Sequence, residues 1–152
     1  MREENVTKNI LMWLQKNNWK IICFDFPQSG TGVLLHLNGS NRTEKNKGGI
    51  IPDIIAVKNG IAVFFENKDR FYQPDFDKLF EIKTELNYTD SLDSLLSDHN
   101  ITSIFYGIGI SDITEEIEKC KLNLDKIDFL ISTNKLKNIE IIYDDIGIFS
   151  NA

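Results

Sequence analysis

Asp53, Glu66 and Lys68 are the residues of this chain whose types and spacing could do chemistry together. Two carboxylates a few ångströms apart can hold a hard divalent cation through oxygen, and an amine beside them can orient water or stabilise negative charge. A turn brings them together. The apolar runs 50–57 and 61–66 flank Asn59-Gly60, the strongest short-range signal for a two-residue hairpin loop, whose central residues both take positive φ. Such a loop fixes the register: Lys58 faces Ile61, the numbers of facing residues add to 119, and Asp53 falls across from Glu66. Facing residues of an antiparallel pair share a face, with Cβ atoms about 4.5–5.5 Å apart. Lys68, two residues past Glu66, points the same way because strand side chains repeat with period two.

Ile51, Ile55, Val57, Ala62 and Phe64 are expected on that same face. A solvated face would alternate with polar residues, so this sheet is expected to be covered on both sides. Opposed like charges in such a place cost several kcal/mol unless something cationic lies between them. Lys68 could neutralise one carboxylate as a structural ion pair. A divalent ion accounts for both and leaves the lysine free to act.

Pro52-Asp53, twelve intervening residues and Glu66-Asn67-Lys68 resemble the motif of the PD-(D/E)xK nuclease superfamily. The surrounding chain also resembles that superfamily's order of helix, three antiparallel strands, helix and strand, over most of the first 110 residues. The resemblance implies an α/β restriction-endonuclease-like core, a central mixed β-sheet flanked by helices. It implies Asp53, Glu66 and Lys68 as catalytic residues, with Mg²⁺ (Mn²⁺ able to substitute) held by Asp53, Glu66 and the Asn67 backbone carbonyl. The middle motif position is often apolar, and Asn67 departs from that. In many members a first-helix glutamate completes the site; Glu4 is the candidate here, against the plainer role of a carboxylate complementing the helix dipole. The implied activity is hydrolysis of double-stranded DNA to 5′-phosphate and 3′-hydroxyl ends, most like a small type II restriction endonuclease working as a homodimer. A Holliday-junction resolvase or other structure-specific nuclease is the alternative, although resolvases are usually strongly basic. A non-catalytic nuclease-fold binding or immunity protein is a third reading.

The 152 residues, with 41% hydrophobic and 26% charged, suit one domain of ordinary globular composition. No apolar run reaches the ~20 residues of a membrane span, and the charged start Met1 to Asn5 is unlike a signal peptide, so a cytoplasmic protein with no membrane partner is expected. Cys23 and Cys120 lack metal-like spacing and are expected to be buried free thiols. The net charge of −6 argues against a nucleic-acid partner, yet it is unevenly spread. Residues 1–72 carry ten Lys and Arg against seven Asp and Glu, whereas residues 73–152 carry seven against sixteen. One phosphate-facing side and an acidic back would give this pattern, although charge asymmetry alone is weak evidence.

The elements that must position the site follow from periodicity. Val6, Ile10, Trp13 and Leu14 predict a helix over 5–17, followed by strands over 19–26 and 33–37. His36 on the second strand reads as a packed histidine, with base reading as the alternative. The polar stretch 38–49 reads as a loop whose Arg42, Lys45 and Lys47 could lie along DNA. Arg70, Tyr72 and Gln73, where the third strand hands over to a helix, are further candidate DNA contacts or plain loop and cap residues. Pro74 opens that helix, with Phe76, Leu79, Phe80 and Leu86 inward and Asp75 and Asp77 near the cluster. A short helix over 90–98, a central strand over 101–110, a helix capped by Asp112 and Glu115, and strands over 127–132 and 139–143 complete the chain.

Overall fold

The computed structural model describes residues 1–26, 32–36, 38 and 49–149. Asn59 and Gly60 take φ of 51° and 81°, the positive values a two-residue turn requires. The turn joins β2 (Ile54–Lys58) to β3 (Ile61–Lys68), with Lys58 facing Ile61 and Ile54 facing Phe65. This is the register anticipated from the turn.

Around that hairpin lie α1 (Glu3–Lys16), β1 (Lys20–Phe24), α2 (Gln73–Glu85), α3 (Thr89–Leu96), β4 (Ser103–Ser111), α4 (Thr114–Lys121), β5 (Phe129–Thr133) and β6 (Ile139–Asp144). The six strands form one mixed open sheet in chain order. Neighbours are antiparallel except β3–β4 and β4–β5, which are parallel. The first parallel pair needs a crossover, and α2 and α3 supply it. No described helix is long and apolar enough to cross a membrane.

Two cores sandwich the sheet. On one face Ile55, Val57, Ala62 and Phe64 pack with Phe76, Leu79 and Ile82 of α2, Leu92 and Leu96 of α3, and Ile117 and Cys120 of α4. On the other, Ile54, Ala56, Val63 and Phe65 pack under Val6, Ile10 and Leu14 of α1. Phe149 closes this second core, its ring 5.2 Å from Trp13, 5.5 Å from Trp19 and 5.1 Å from Phe129. The β2–β3 hairpin is therefore apolar on both sides, as strands covered by two layers must be.

Several expectations are corrected. The 33–37 strand is reduced, among the described residues, to a bridge between Leu35 and Ile50. This segment is tied to α3 instead: the His36 N–H donates to Ser91 Oγ at 2.9 Å and Asn38 Nδ2 to Thr89 Oγ1 at 2.8 Å. His36 thus serves this tie through its backbone. Phe80 and Leu86 are exposed; Phe80 is out of phase with the Phe76, Leu79 and Ile82 stripe, and Leu86 lies beyond the helix end at φ 53°. Ile51 is exposed because the ladder starts only at Ile54, and the period-two argument does not reach it. Asp112 does not cap α4; its N–H continues the sheet by donating to Thr133 O at 2.7 Å. Cys23 and Cys120 are buried free thiols, and burial pushes their pKa values up to about 11 and about 12.

Gly107 of β4 lies against Phe129 of β5, so that a Cβ there would collide with both the ring and the backbone oxygen of Phe129. Backbone cannot yield as a flexible side chain can. Gly107→Ala is expected to destabilise the protein by about 2–4 kcal/mol, and urea unfolding followed by circular dichroism checks this; an unchanged midpoint would refute the packing argument.

Candidate active site

The β3 strand runs out of its antiparallel partner near its C-terminal end. Asp53 bends away just before β2 begins, its N–H donating to Phe65 O at 3.2 Å. Its carboxylate turns back onto β3, where Oδ2 accepts the Asn67 N–H at 2.7 Å. The N–H and C=O of one strand residue point to the same side, so the Asn67 carbonyl faces the side on which Asp53 lies. The Asn67 side chain points the other way, Nδ2 donating to Thr7 Oγ1 of α1 at 3.1 Å. That contact gives a physical reason for a polar residue at this position.

Glu66 is 5% exposed, and its carboxyl group lies close enough to that of Asp53 for each to act on the other's charge. Two such groups cannot both ionise in a dry place. Burial and the neighbouring Glu66 charge push Asp53 from 3.8 up to about 9, against the opposing Asn67 N–H bond. Glu66 is also raised, by burial and by Asp75, while Lys78 opposes. The pair is therefore held toward a state in which the two carboxyls share a proton.

α2 adds two charges on one side of the cluster. The Lys78 ammonium stands 2.9 Å from Glu66 Oε1, an ion-pair distance without hydrogen-bond geometry. Asp75, one turn earlier, is buried, and its Oδ2 has no hydrogen-bond partner. Its carboxyl is pushed up by burial, with Lys68 and Lys78 opposing. Lys68 pairs with Glu3 Oε1 of α1 at 3.2 Å and lies over the Tyr72 ring, 5.0 Å from its centroid. Burial pulls the Lys68 pKa down, but Asp75, Glu3 and Asp53 outweigh it and hold the ammonium above its ordinary value. The surrounding acids thus reinforce the positive charge of this lysine.

Other expected members fall elsewhere. Glu4 pairs with Lys8 at 3.0 Å on the outer side of α1, and Glu3 faces the cluster in its place. Arg70 is largely exposed, 3.4 Å from Asp69 Oδ2. Gln73 donates its amide to Asp77 Oδ1 and Asn123 Oδ1, both at 3.0 Å, so it is engaged in holding α2 to the turn at Leu124–Lys126. Asp77 pairs with Lys126 and Gln73, away from the cluster. Arg42, Lys45 and Lys47 lie outside the described residues.

The donors present suit a hard cation. Asp53 and Glu66 offer adjoining carboxylate oxygens, the Asn67 carbonyl faces the Asp53 side, and Asp75 Oδ2 is unengaged. Among the described residues no three His, Cys, Asp or Glu side chains stand gathered as a ready-made metal cage. A site of two carboxylates and one carbonyl leaves positions for water, which Mg²⁺ prefers to keep. A hollow of about 670 Å³ lies elsewhere, between α1 and residues 136–139; it is lined by Met12, Trp13, Lys16, Leu136 and Lys137 among others and has no acidic side chain. No protein-family model, no curated protein and no solved structure matches the chain.

The raised Asp53 pKa sets a sign for stability. Between its ordinary value near 3.8 and about 9 the folded protein binds more protons than the unfolded chain, so metal-free stability falls as pH rises through that window. Asp53→Asn removes the penalty and is expected to raise the metal-free Tm at pH 8 by a few degrees and flatten its pH dependence. Thermal melts in EDTA at pH 5 to 9 check this, and a lower Tm for the variant at pH 8 would contradict it.

Proposed function

We propose that the protein is a Mg²⁺-dependent endonuclease of the PD-(D/E)xK superfamily that hydrolyses phosphodiester bonds of double-stranded DNA. The observation carrying this reading is the half-buried Asp53 carboxyl, turned back onto β3 at the Asn67 N–H beside the buried Glu66, with Lys68 at the same strand end. The order of elements supports it: α1, three antiparallel strands, helices, then β4 parallel to β3. Mg²⁺, or Mn²⁺ in its place, would be held by Asp53, Glu66 and the Asn67 carbonyl, and would neutralise charge on the scissile phosphate and acidify a water.

The chain's own residues do the rest. Asp53 gives up the proton it shares with Glu66, so both carboxylates can serve as ligands. Lys68, kept cationic beside Glu3, donates to the attacking water and faces the charge building on the phosphoryl oxygens. Water adds to phosphorus in line, the P–O3′ bond breaks, and the departing oxygen takes a proton, leaving 5′-phosphate and 3′-hydroxyl ends. The Tyr72 ring also lies against the Lys68 ammonium. Arg70, exposed two residues past Lys68, and Arg42, Lys45 and Lys47 of the polar stretch are the candidate phosphate contacts.

Within this reading a small cytoplasmic type II restriction endonuclease, cutting both strands as a homodimer, fits best; a structure-specific nuclease would instead favour four-way junctions. A non-catalytic nuclease-fold binding protein is the second reading, favoured by Lys78, which already compensates Glu66. Plasmid DNA incubated with the protein and Mg²⁺ is expected to give discrete bands, with cutting abolished by EDTA or by Asp53→Ala. Lys68→Ala is expected to lose cleavage by at least about a hundredfold while retaining fold and DNA binding, since its Glu3 pair is partly exposed. Undiminished cutting by Lys68→Ala would overturn the mechanism. No metal-dependent cutting of duplex, junction or single-stranded DNA would favour the binding protein.

A further inference from the structure

Lys78 is a charged residue whose place at the site is not explained by the hydrolytic roles assigned above. Its Nζ stands 2.9 Å from Glu66 Oε1, and its charge also acts on Asp53 and Asp75. The carboxyl groups of Glu66, Asp75 and Asp53 are therefore all within its influence. Among the described residues, the other ammonium here, Lys68, is engaged by Glu3. Lys78 thus offsets part of the negative charge that a divalent ion would neutralise.

Both cannot remain. A Mg²⁺ ion binds carboxylate oxygen at about 2.0–2.1 Å, and an ammonium on the same Glu66 carboxylate would lie only a few ångströms from it. Like charges so close, at a carboxylate 6% exposed, repel with little screening from solvent. The lysine has a way out: its side chain is 34% exposed, and its four-carbon stem is flexible.

We propose that Lys78 is an internal counter-cation that holds the Asp53–Glu66–Asp75 cluster together without metal and must leave Glu66 for a divalent ion to bind. Lys78 is then a positioning residue that sets metal affinity, and the site exchanges one cation for another. This rests on the metal-site reading of Asp53 and Glu66.

Titration calorimetry with MnCl₂ on the full chain tests it, comparing wild type, Lys78→Met and Lys78→Arg. Lys78→Met keeps the stem and removes the charge, so Mn²⁺ is expected to bind about tenfold more tightly or better, and the metal-free Tm is expected to fall. Lys78→Arg keeps the charge and is expected to stay within about threefold of wild type. A merely structural lysine would lower Tm without tightening metal binding. Equal or weaker Mn²⁺ binding by a folded Lys78→Met overturns the inference and leaves the nuclease reading standing. Should that variant fail to fold, Lys78→Gln carries the same expectation and the same refutation. Absence of Mn²⁺ binding in wild type and every variant removes the metal site and this inference together. Tighter binding by Lys78→Met without DNA cleavage by wild type sustains the inference and counts against the nuclease.

Discussion

Two carboxyl groups held side by side without water must share a proton, gain a cation or move apart, and Asp53 and Glu66 have little freedom to move apart. The antiparallel ladder from Ile54–Phe65 to Lys58–Ile61 fixes one strand against the other, and cores on both faces keep the hairpin from tilting. The nearby charges respond to that confinement. The Asp53 pKa is pushed up by burial and the Glu66 charge, Lys78 approaches Glu66, and the acids around Lys68 keep it charged. The fold thus maintains a local concentration of negative charge that its own lysines only partly balance.

Asn67 joins this region to the opposite layer. Its backbone belongs to the carboxylate cluster, whereas its side chain reaches Thr7 of α1. Asn9, farther along α1, donates to Thr133 Oγ1 and the Asn134 carbonyl at 3.1 and 3.0 Å. α1 is consequently held to the sheet by buried polar contacts as well as by Val6, Ile10 and Leu14. Those directional bonds fix where its first turn sits, and Glu3 is in that turn. A buried polar network specifies a position more sharply than apolar packing does.

The site was legible where local rules act alone. Asn59-Gly60 dictated the turn and the turn dictated the register as far as Ile54 against Phe65; Asp53, one residue beyond the ladder, reaches β3 through its side chain on the Asn67 N–H. Contacts made by other elements were harder to read because they depend on helix phase and packing. Glu3 stands in phase with Thr7, Ile10 and Leu14 of the buried stripe, whereas Glu4 is in phase with Lys8 on the outer side. That distinction was present in the sequence, and one residue separates its two outcomes. On α2, Asp75 is in phase with Leu79 and Ile82, a charged residue within an apolar stripe, which is the signal that could have drawn attention to this helix. Lys78 had no comparable mark, because its meeting with Glu66 depends on how α2 lies across the sheet. The segment before Ile50 was misread for a related reason: hydrogen bonds to α3 took the place of a strand partner.

The turn that secures the register carries its own chemical vulnerability. An Asn-Gly bond is open to attack of the glycine nitrogen on the asparagine side chain, and reopening of the resulting ring can insert a methylene into the main chain. At Asn59-Gly60 that extra atom would fall inside a two-residue loop whose length determines which residues face each other. Slow ageing of one peptide bond on the sheet's far end would then loosen the opposition of carboxylates at the other, without altering any residue that touches them.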